Sequence, residues 1–363
     1  MRFGFRVDAS VQMGSGHIMR CLTLADQLKK NGADVQFFCR NFQDQMNAIV
    51  KERGYKLNLL VVPSEKYEET KDEFPYAKWL EVTWQKDVED TINAMGREVC
   101  DWMIIDHYGI DYRWHKRMRD CVEKIMVIDD LADRQLDCDL LLDQTYGREV
   151  DSYHSLVPDQ CDLKLGSHYA LLRPEFAKLR LMALEKRLSF KGVQRVLIFM
   201  GGSDPDNITG KILGGLTKVN WKHSVIIDVV LGLHAPHIQS LKEQAVNLPL
   251  NINVLTNVDN MAAVIFDADL AIGAGGASCW ERCSLALPSL IAILADNQRA
   301  NACNLERLDA AIVWNDIEQL KVSIETVINS NDKWFEMQGA AANICDGLGC
   351  SRIVNELVTH DFR

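Results

Sequence analysis

The sequence has no Cys-x-x-Cys pair, although 11 cysteines are spread from Cys21 to Cys350. A thioredoxin-like pair and a zinc knuckle are therefore unsupported, and 363 residues are far too many for a disulfide-stapled miniprotein. Long hydrophobic runs are missing too. The longest apolar stretch, Leu285 to Ala295, is interrupted by Pro288 and is about half the ~20 residues a spanning helix needs. Positive charge is in deficit, with 51 acidic against 40 basic side chains and a net charge of −11. Phosphate backbones and anionic bilayers demand the opposite sign, so neither nucleic acid nor membrane is an expected partner. The opening MRFGFRVDAS lacks the pattern of a signal peptide, which together with the cysteine usage points to a reducing cytoplasm. No short-period repeat and no low-complexity segment occurs.

What is present is an ordinary globular composition, 47% apolar and 25% charged, in a chain long enough for about two domains. Residues 2–8 place Phe3, Phe5 and Val7 on one face at period two, and a helical pattern runs from about 17 to 30 before Gly32. Strands are predicted at Asp34–Cys39, Lys56–Val62, Trp102–Asp106, Lys124–Ile128 and Leu140–Asp143. Helices are predicted near 43–53, 86–98 and 111–121. This rhythm implies a mostly parallel sheet covered by helices. After residues 164–192, which carry a proline and a charged helical run, the rhythm restarts. Its strands are predicted at 195–200, 225–231, 251–256, 270–273 and 289–294, and the chain from about 316 onward is helical. The expected fold is α/β, two Rossmann-like domains with parallel sheets and an active site in the cleft between them. The domains are expected at 1–165 and 190–345, with a linker at 166–189 and a C-terminal helix in 346–363.

Three glycine turns follow predicted strands. In Asp8–Arg20, Gly14 and Gly16 allow close backbone approach ahead of a helix N-terminus, where free N–H groups attract anions. The third glycine of the dinucleotide fingerprint is missing, as is the Gly-Lys-Ser/Thr of a P-loop, which disfavours a nicotinamide dehydrogenase. His17 at the helix start is a candidate general base, since the helix dipole disfavours its cation. Arg20 lies on the same face as a candidate anion clamp. A histidine that merely bonds the helix start is the competing reading. The second turn offers Gly201, Gly202 and Ser203. The third, Gly273 to Glu281, offers Gly275, Gly276 and Ser278 as a phosphate cradle and Glu281 as a ribose acceptor. Asp8, Asp106, Asp129, Asp130 and Asp143 end strands, where most such carboxylates serve as turn or cap residues, and Tyr108 is a candidate substrate contact. Two Asp-x-Asp tripeptides, at 137–139 and 267–269, fit metal-dependent sugar transferases but are common by chance, so no metal and no cofactor is expected.

RVDASVQMGSGHIMRCLTLA, IIDHYGID, YALLRPEF, MGGSDPDN, GAGGASCWERCSLALP and DNQ follow one another in an order that covers nearly the whole chain. This series resembles the UDP-2,4-diacetamido-2,4,6-trideoxy-β-L-altropyranose hydrolases of pseudaminic acid biosynthesis. That family is similar in fold to the GT-B nucleotide-sugar glycosyltransferases, a likeness that implies that the helix in 346–363 packs back on the first domain. The resemblance implies an inverting hydrolysis of the bond between the anomeric carbon and UDP, with water as nucleophile and His17 as base. It implies a UDP-binding C-terminal half, with Arg20, Tyr108, Arg173 and Asn297 as phosphate or sugar contacts, acting as a monomer on a UDP-sugar. A glycosyltransferase with an acceptor and a non-catalytic nucleotide-sugar binder are the alternatives.

Overall fold

The computed structural model describes residues 1–10, 13–42, 47–62, 74–97 and 99–359. The chain divides into two compact units, Met1–Leu171 with Gly349–Arg363, and Leu172–Leu348.

Unit 1 runs β1 (Arg2–Val7), α1 (Gly16–Lys30), β2 (Asp34–Arg40), α2 (Ala48–Glu52), β3 (Lys56–Leu60), α3 (Trp84–Met95), β4 (Cys100–Asp106), α4 (Tyr112–Met118), β5 (Val122–Ile128), β6 (Leu140–Asp143) and β7 (Asp162–Leu165). The strands form one parallel sheet in the order β3-β2-β1-β4-β5-β6-β7. Period-two alternation in β1 sends Phe3, Phe5 and Val7 into a core shared with Ile18, Leu22 and Leu28 of α1. The other face of the sheet buries Met103, Ile105 and Val127 with Leu80, Val88 and Trp114. Arg6 lies on that second face, fully buried, and survives there because it is paired with Asp8 and Asp87 through four hydrogen bonds of 2.6–3.0 Å.

Unit 2 runs α5 (Pro174–Leu188), β8 (Arg195–Phe199), α6 (Ile208–Leu216), β9 (Ile226–Leu231), α7 (Ile238–Asn247), β10 (Asn251–Thr256), α8 (Met261–Asp267), β11 (Leu270–Ala274), α9 (Ser278–Ser284), β12 (Ser289–Ala292), α10 (Arg299–Arg307), β13 (Ala311–Trp314), α11 (Ile317–Asn329) and α12 (Asn331–Ala342). Its parallel sheet has the order β10-β9-β8-β11-β12-β13. In both units the order reverses beside the first strand, the doubly wound arrangement of a Rossmann-like fold. The last helix, α13 (Gly349–Thr359), returns to unit 1, where Ile353, Val354 and Leu357 join the core of α1.

The segment expected as a linker at 166–189 is divided instead. Its first residues belong to unit 1, and Pro174–Leu188 is a 15-residue helix of unit 2. Proline at the first helical position starts a helix rather than breaking one. Arg187 then fixes that helix to the unit by donating to the carbonyls of Leu285, Ala268 and Ile265. Two edge strands, β7 and β13, lie outside the predicted set; each pairs with a single neighbour at the sheet edge. Helix α2 begins at Ala48, and residues 43–46 of the helix predicted there lie outside the described residues. Among the described residues no helix is long and apolar enough to cross a membrane.

Candidate active site

In unit 1 the strand order reverses between β1 and β4, so the loops leaving their carboxyl ends diverge and open a crevice. The β1–α1 loop supplies Gly14, the first turns of α1 supply His17 and Arg20, the end of β4 supplies Asp106, and the loop after it supplies Tyr108. Gly14 has φ +74°, and its N–H donates to the Ser10 carbonyl at 2.7 Å. Gly16 opens α1, whose first turn has no side-chain cap and no acidic residue.

His17 is paired through Nδ1 with Asp106 Oδ1 at 2.6 Å. Its side chain is 10% exposed and that of Asp106 is fully buried, so the base can be reached while its partner cannot. A carboxylate accepting from Nδ1–H fixes the tautomer in which Nε2 carries the free lone pair. Burial alone would raise the Asp106 carboxyl, but the Arg20 guanidinium and His17 outweigh it and hold it well below the usual carboxylate range. Asp106 therefore stays ionised, and it stabilises the imidazolium that proton uptake would create.

Arg20 departs from the expected role of anion clamp. Nε donates to Asp106 Oδ2 at 2.6 Å, Nη2 to Asp106 Oδ1 at 2.7 Å, and Nη1 to Asp130 Oδ2 at 2.6 Å. The anions it clamps are the protein's own, because a buried guanidinium needs neutralising whether or not a ligand is present. Tyr108 is buried as well. Its hydroxyl donates to Asp130 Oδ2 at 2.7 Å, and its ring meets His17 edge-on at 4.7 Å between centroids. Asp106 and Asp130, grouped in the sequence with turn and cap residues, are thus the partners that organise His17, Arg20 and Tyr108. His107, beside them, faces inward, with Nε2 3.1 Å from Asp8 and Nδ1 accepting from the Gly109 N–H.

Two further aromatics were not singled out. Tyr76 and Trp79 lie in and beside a 3₁₀ turn, Ala77–Leu80, and both are partly exposed. The Trp79 ring is 6.4 Å from that of His17 and 5.7 Å from that of Tyr108. Their spacing of three residues, just before the Thr83 cap of α3, was the available signal.

In unit 2 the two glycine turns differ. After β8, Gly202 gives its carbonyl to the Gly232 N–H at 2.9 Å. The Asp204 carboxylate accepts from the N–H groups of Ile208 and Thr209, and Asn207 accepts from Gly210. The free donors of α6, the reason to expect phosphate near Gly202 and Ser203, are therefore taken by the chain itself. In the turn after β11, the three glycines do not form one cradle. A Cβ at Gly273 would lie 2.8 Å from Arg282 Nη1, and one at Gly275 would crowd Gln298 at 3.2 Å. Only Gly276 is open, with Gln298 Nε2 at 3.8 Å from a Cβ built there. Arg282 is buried and ties the turn together through the Ala274 carbonyl, Ser278 Oγ and Ser289 Oγ. Ser278 thus accepts from Arg282. Asn297 is partly exposed in the short turn Asp296–Gln298 that packs on Gly275.

Glu281, one turn into α9, keeps part of its surface exposed. Burial of the rest pushes its carboxyl up to about 6, against the pull of Arg173 and Arg282. Arg173 also donates to the Asp259 carbonyl at 2.7 Å. Unit 1 thus brings together His17, Arg20 and Tyr108; in unit 2 Arg173 acts electrostatically on Glu281, and Gly276 lies beside Gln298 of the turn that carries Asn297. Three of the four Asp-x-Asp carboxylates are tied into the fold: Asp137 and Asp139 hold Arg119, and Asp269 accepts from the N–H groups of Gln194 and Arg195.

These features define a two-unit α/β protein of the GT-B type. Its fold matches MurG of Acinetobacter baumannii with a TM-score of 0.69, at 15% identity, over 98% of this chain and 99% of that one. Residues 196–346 match the glycosyltransferase family 28 C-terminal domain. The chain is 29% identical to the UDP-2,4-diacetamido-2,4,6-trideoxy-β-L-altropyranose hydrolase of Campylobacter jejuni, over 75% of its own length and 84% of the hydrolase. It is also 27% identical to the uncharacterized protein MJ1062 of Methanocaldococcus jannaschii, over 84% of its own length, spanning only 57% of that protein. In sequence the chain is thus similar to nucleotide-sugar proteins that include the Campylobacter hydrolase, and in fold to MurG.

Proposed function

We propose that the protein hydrolyses UDP-2,4-diacetamido-2,4,6-trideoxy-β-L-altrose at the bond between C1 and the UDP oxygen. The products are UDP and the free 2,4-diacetamido-2,4,6-trideoxy-L-altrose, with inversion at C1. The carrying observation is the His17–Asp106 pair, an accessible imidazole oriented by a buried carboxylate that stays ionised. In this reading His17 Nε2 takes a proton from water as the water's oxygen attacks C1. Electrons of the breaking C1–O bond pass to UDP, a good leaving group that needs no strong acid. The sugar passes through an oxocarbenium-like state. Unit 2 holds the nucleotide, with Gly276, Ser278, Arg173 and Asn297 toward phosphate or sugar and the Glu281 carboxylate accepting from the ribose hydroxyls. The working species is a monomer.

The experiment is proton NMR of the protein with this substrate and no acceptor, beside His17→Ala. A general base supplies about 10²–10⁴-fold, so the variant is expected to lose at least that order while still binding substrate. Wild-type turnover in folded His17→Ala would sink the reading. The match of residues 196–346 to a glycosyltransferase domain favours a second reading, transfer of the sugar to an acceptor. UDP release that occurs only when an acceptor is added would establish it.

A further inference from the structure

The 3₁₀ turn Ala77–Leu80 has two faces. With three residues per turn, positions i and i+3 lie in line. Ala77 and Leu80 are buried, Leu80 in the core of Val82, Val88 and Trp114. Tyr76 and Trp79 form the other line, joined by the bond from the Trp79 N–H to the Tyr76 carbonyl at 2.9 Å. Their rings meet edge-on at 4.9 Å, and Tyr76 lies 5.5 Å from Tyr108. The turn is seated on the loop that follows β4. A Cβ at Gly109 would lie 2.8 Å from the Tyr76 carbonyl oxygen, so glycine there lets the backbones touch. The loop that carries Asp106 and Tyr108 therefore also fixes the position of Tyr76 and Trp79.

Proton transfer at His17 needs neither of these rings. They give the surroundings of the base a partly exposed aromatic surface in a chain that carries an excess of negative charge. Aromatic faces favour weakly hydrated C–H surfaces, and hydroxyl groups pressed against them lose their water without gaining a partner. We propose that Tyr76 and Trp79 form a recognition wall for the sugar of the nucleotide-sugar substrate. The wall selects a hexose with methyl groups, at C6 and on N-acetyl substituents, over a fully hydroxylated one. This deepens the hydrolase reading and rests on it for the choice of sugar.

The test is calorimetry on the full chain carrying His17→Gln, which stops turnover, with and without Trp79→Ala. The probes are UDP, UDP-glucose and UDP-2,4-diacetamido-2,4,6-trideoxy-β-L-altrose. One methyl-sized group in an apolar site is worth at least about tenfold. Trp79→Ala is expected to weaken the diacetamido compound at least tenfold, leaving UDP and UDP-glucose within twofold, and Trp79→Phe to restore most of the loss. An equal loss on all three probes would mean a merely structural role and overturn the proposal, as would a change below threefold on the diacetamido compound. Turnover by the wild-type chain reports separately on the hydrolase reading. Trp79-dependent binding without turnover rejects hydrolysis and keeps the wall. Turnover with an unchanged KM in Trp79→Ala rejects the wall and keeps hydrolysis. Failure of the wild-type chain to bind any probe rejects both.

Discussion

Replacing Asp106 with asparagine separates the charge of this carboxylate from its shape. Oδ1 lies 2.6 Å from His17 Nδ1 and 2.7 Å from Arg20 Nη2, and Oδ2 lies 2.6 Å from Arg20 Nε. Both oxygens accept, and an amide has only one that can. If its NH₂ faces His17, Nδ1 must accept, the imidazole proton moves to Nε2, and the lone pair meant for water is gone. If its carbonyl faces His17, the Arg20 Nε–H meets another donor, and the buried guanidinium keeps only Asp130 as a charged partner. Breaking one side of a buried ion pair costs about 3–5 kcal/mol. At about 2–4 °C per kcal/mol for a unit of this size, Tm should fall by about 10 °C. Loss of the oriented base should lower kcat by about 10²–10⁴-fold. KM should stay within a few fold, since the pair acts on the transition state and not on ground-state binding. The assay is acceptor-free UDP release, normalised to folded protein by the stoichiometry of UDP binding. A folded Asp106→Asn protein that retains more than a tenth of kcat would refute the orienting role.

Two other tests address the nucleotide half and the core. Glu281 holds a proton up to about pH 6 in the folded chain against 4.5 ordinarily, so its contribution to stability falls as pH rises from 4.5 to 6. If Glu281 holds the ribose as proposed, the hydroxyls bind its ionised form, so UDP affinity should rise from pH 5 to 7 more steeply in the wild type than in Glu281→Gln; parallel pH curves in calorimetry would contradict the assignment. Arg6→Met should leave the buried carboxylates of Asp8 and Asp87 without their shared cation. A loss of about 3–5 kcal/mol is expected in urea unfolding, and a loss below about 1 kcal/mol would show that Arg40 and His107 suffice.

Much of the fold was legible because parallel strands are short apolar runs bounded by turns. Leu140–Asp143 and Asn251–Thr256 have the bounds the sequence suggested. Residues 174–188 were harder to place. Their charge looked like a linker, but Lys186 and Arg187 use that charge to hold backbone carbonyls of unit 2. At the candidate site, His17 was visible from its place after a glycine turn. Its partner was not, since Asp106 is one of several aspartates that end strands, and nothing local separates it from Asp129, which caps its own loop through the N–H groups of Leu131 and Ala132.

The sequence by itself determined the two-sheet α/β plan, the position of the candidate base and the glycine turns. Each of these is written in spacing over a few residues, where hydrophobic period and turn chemistry act. The tertiary structure alone decided how the charges are spent. Arg20 is neutralised by Asp106 and Asp130, 86 and 110 residues away, rather than held free for a phosphate. Gly273 and Gly275 are occupied by Arg282 and Gln298, so only Gly276 is left open. A buried ion must find a counter-ion wherever the fold provides one, and parallel sheets place distant strand ends side by side.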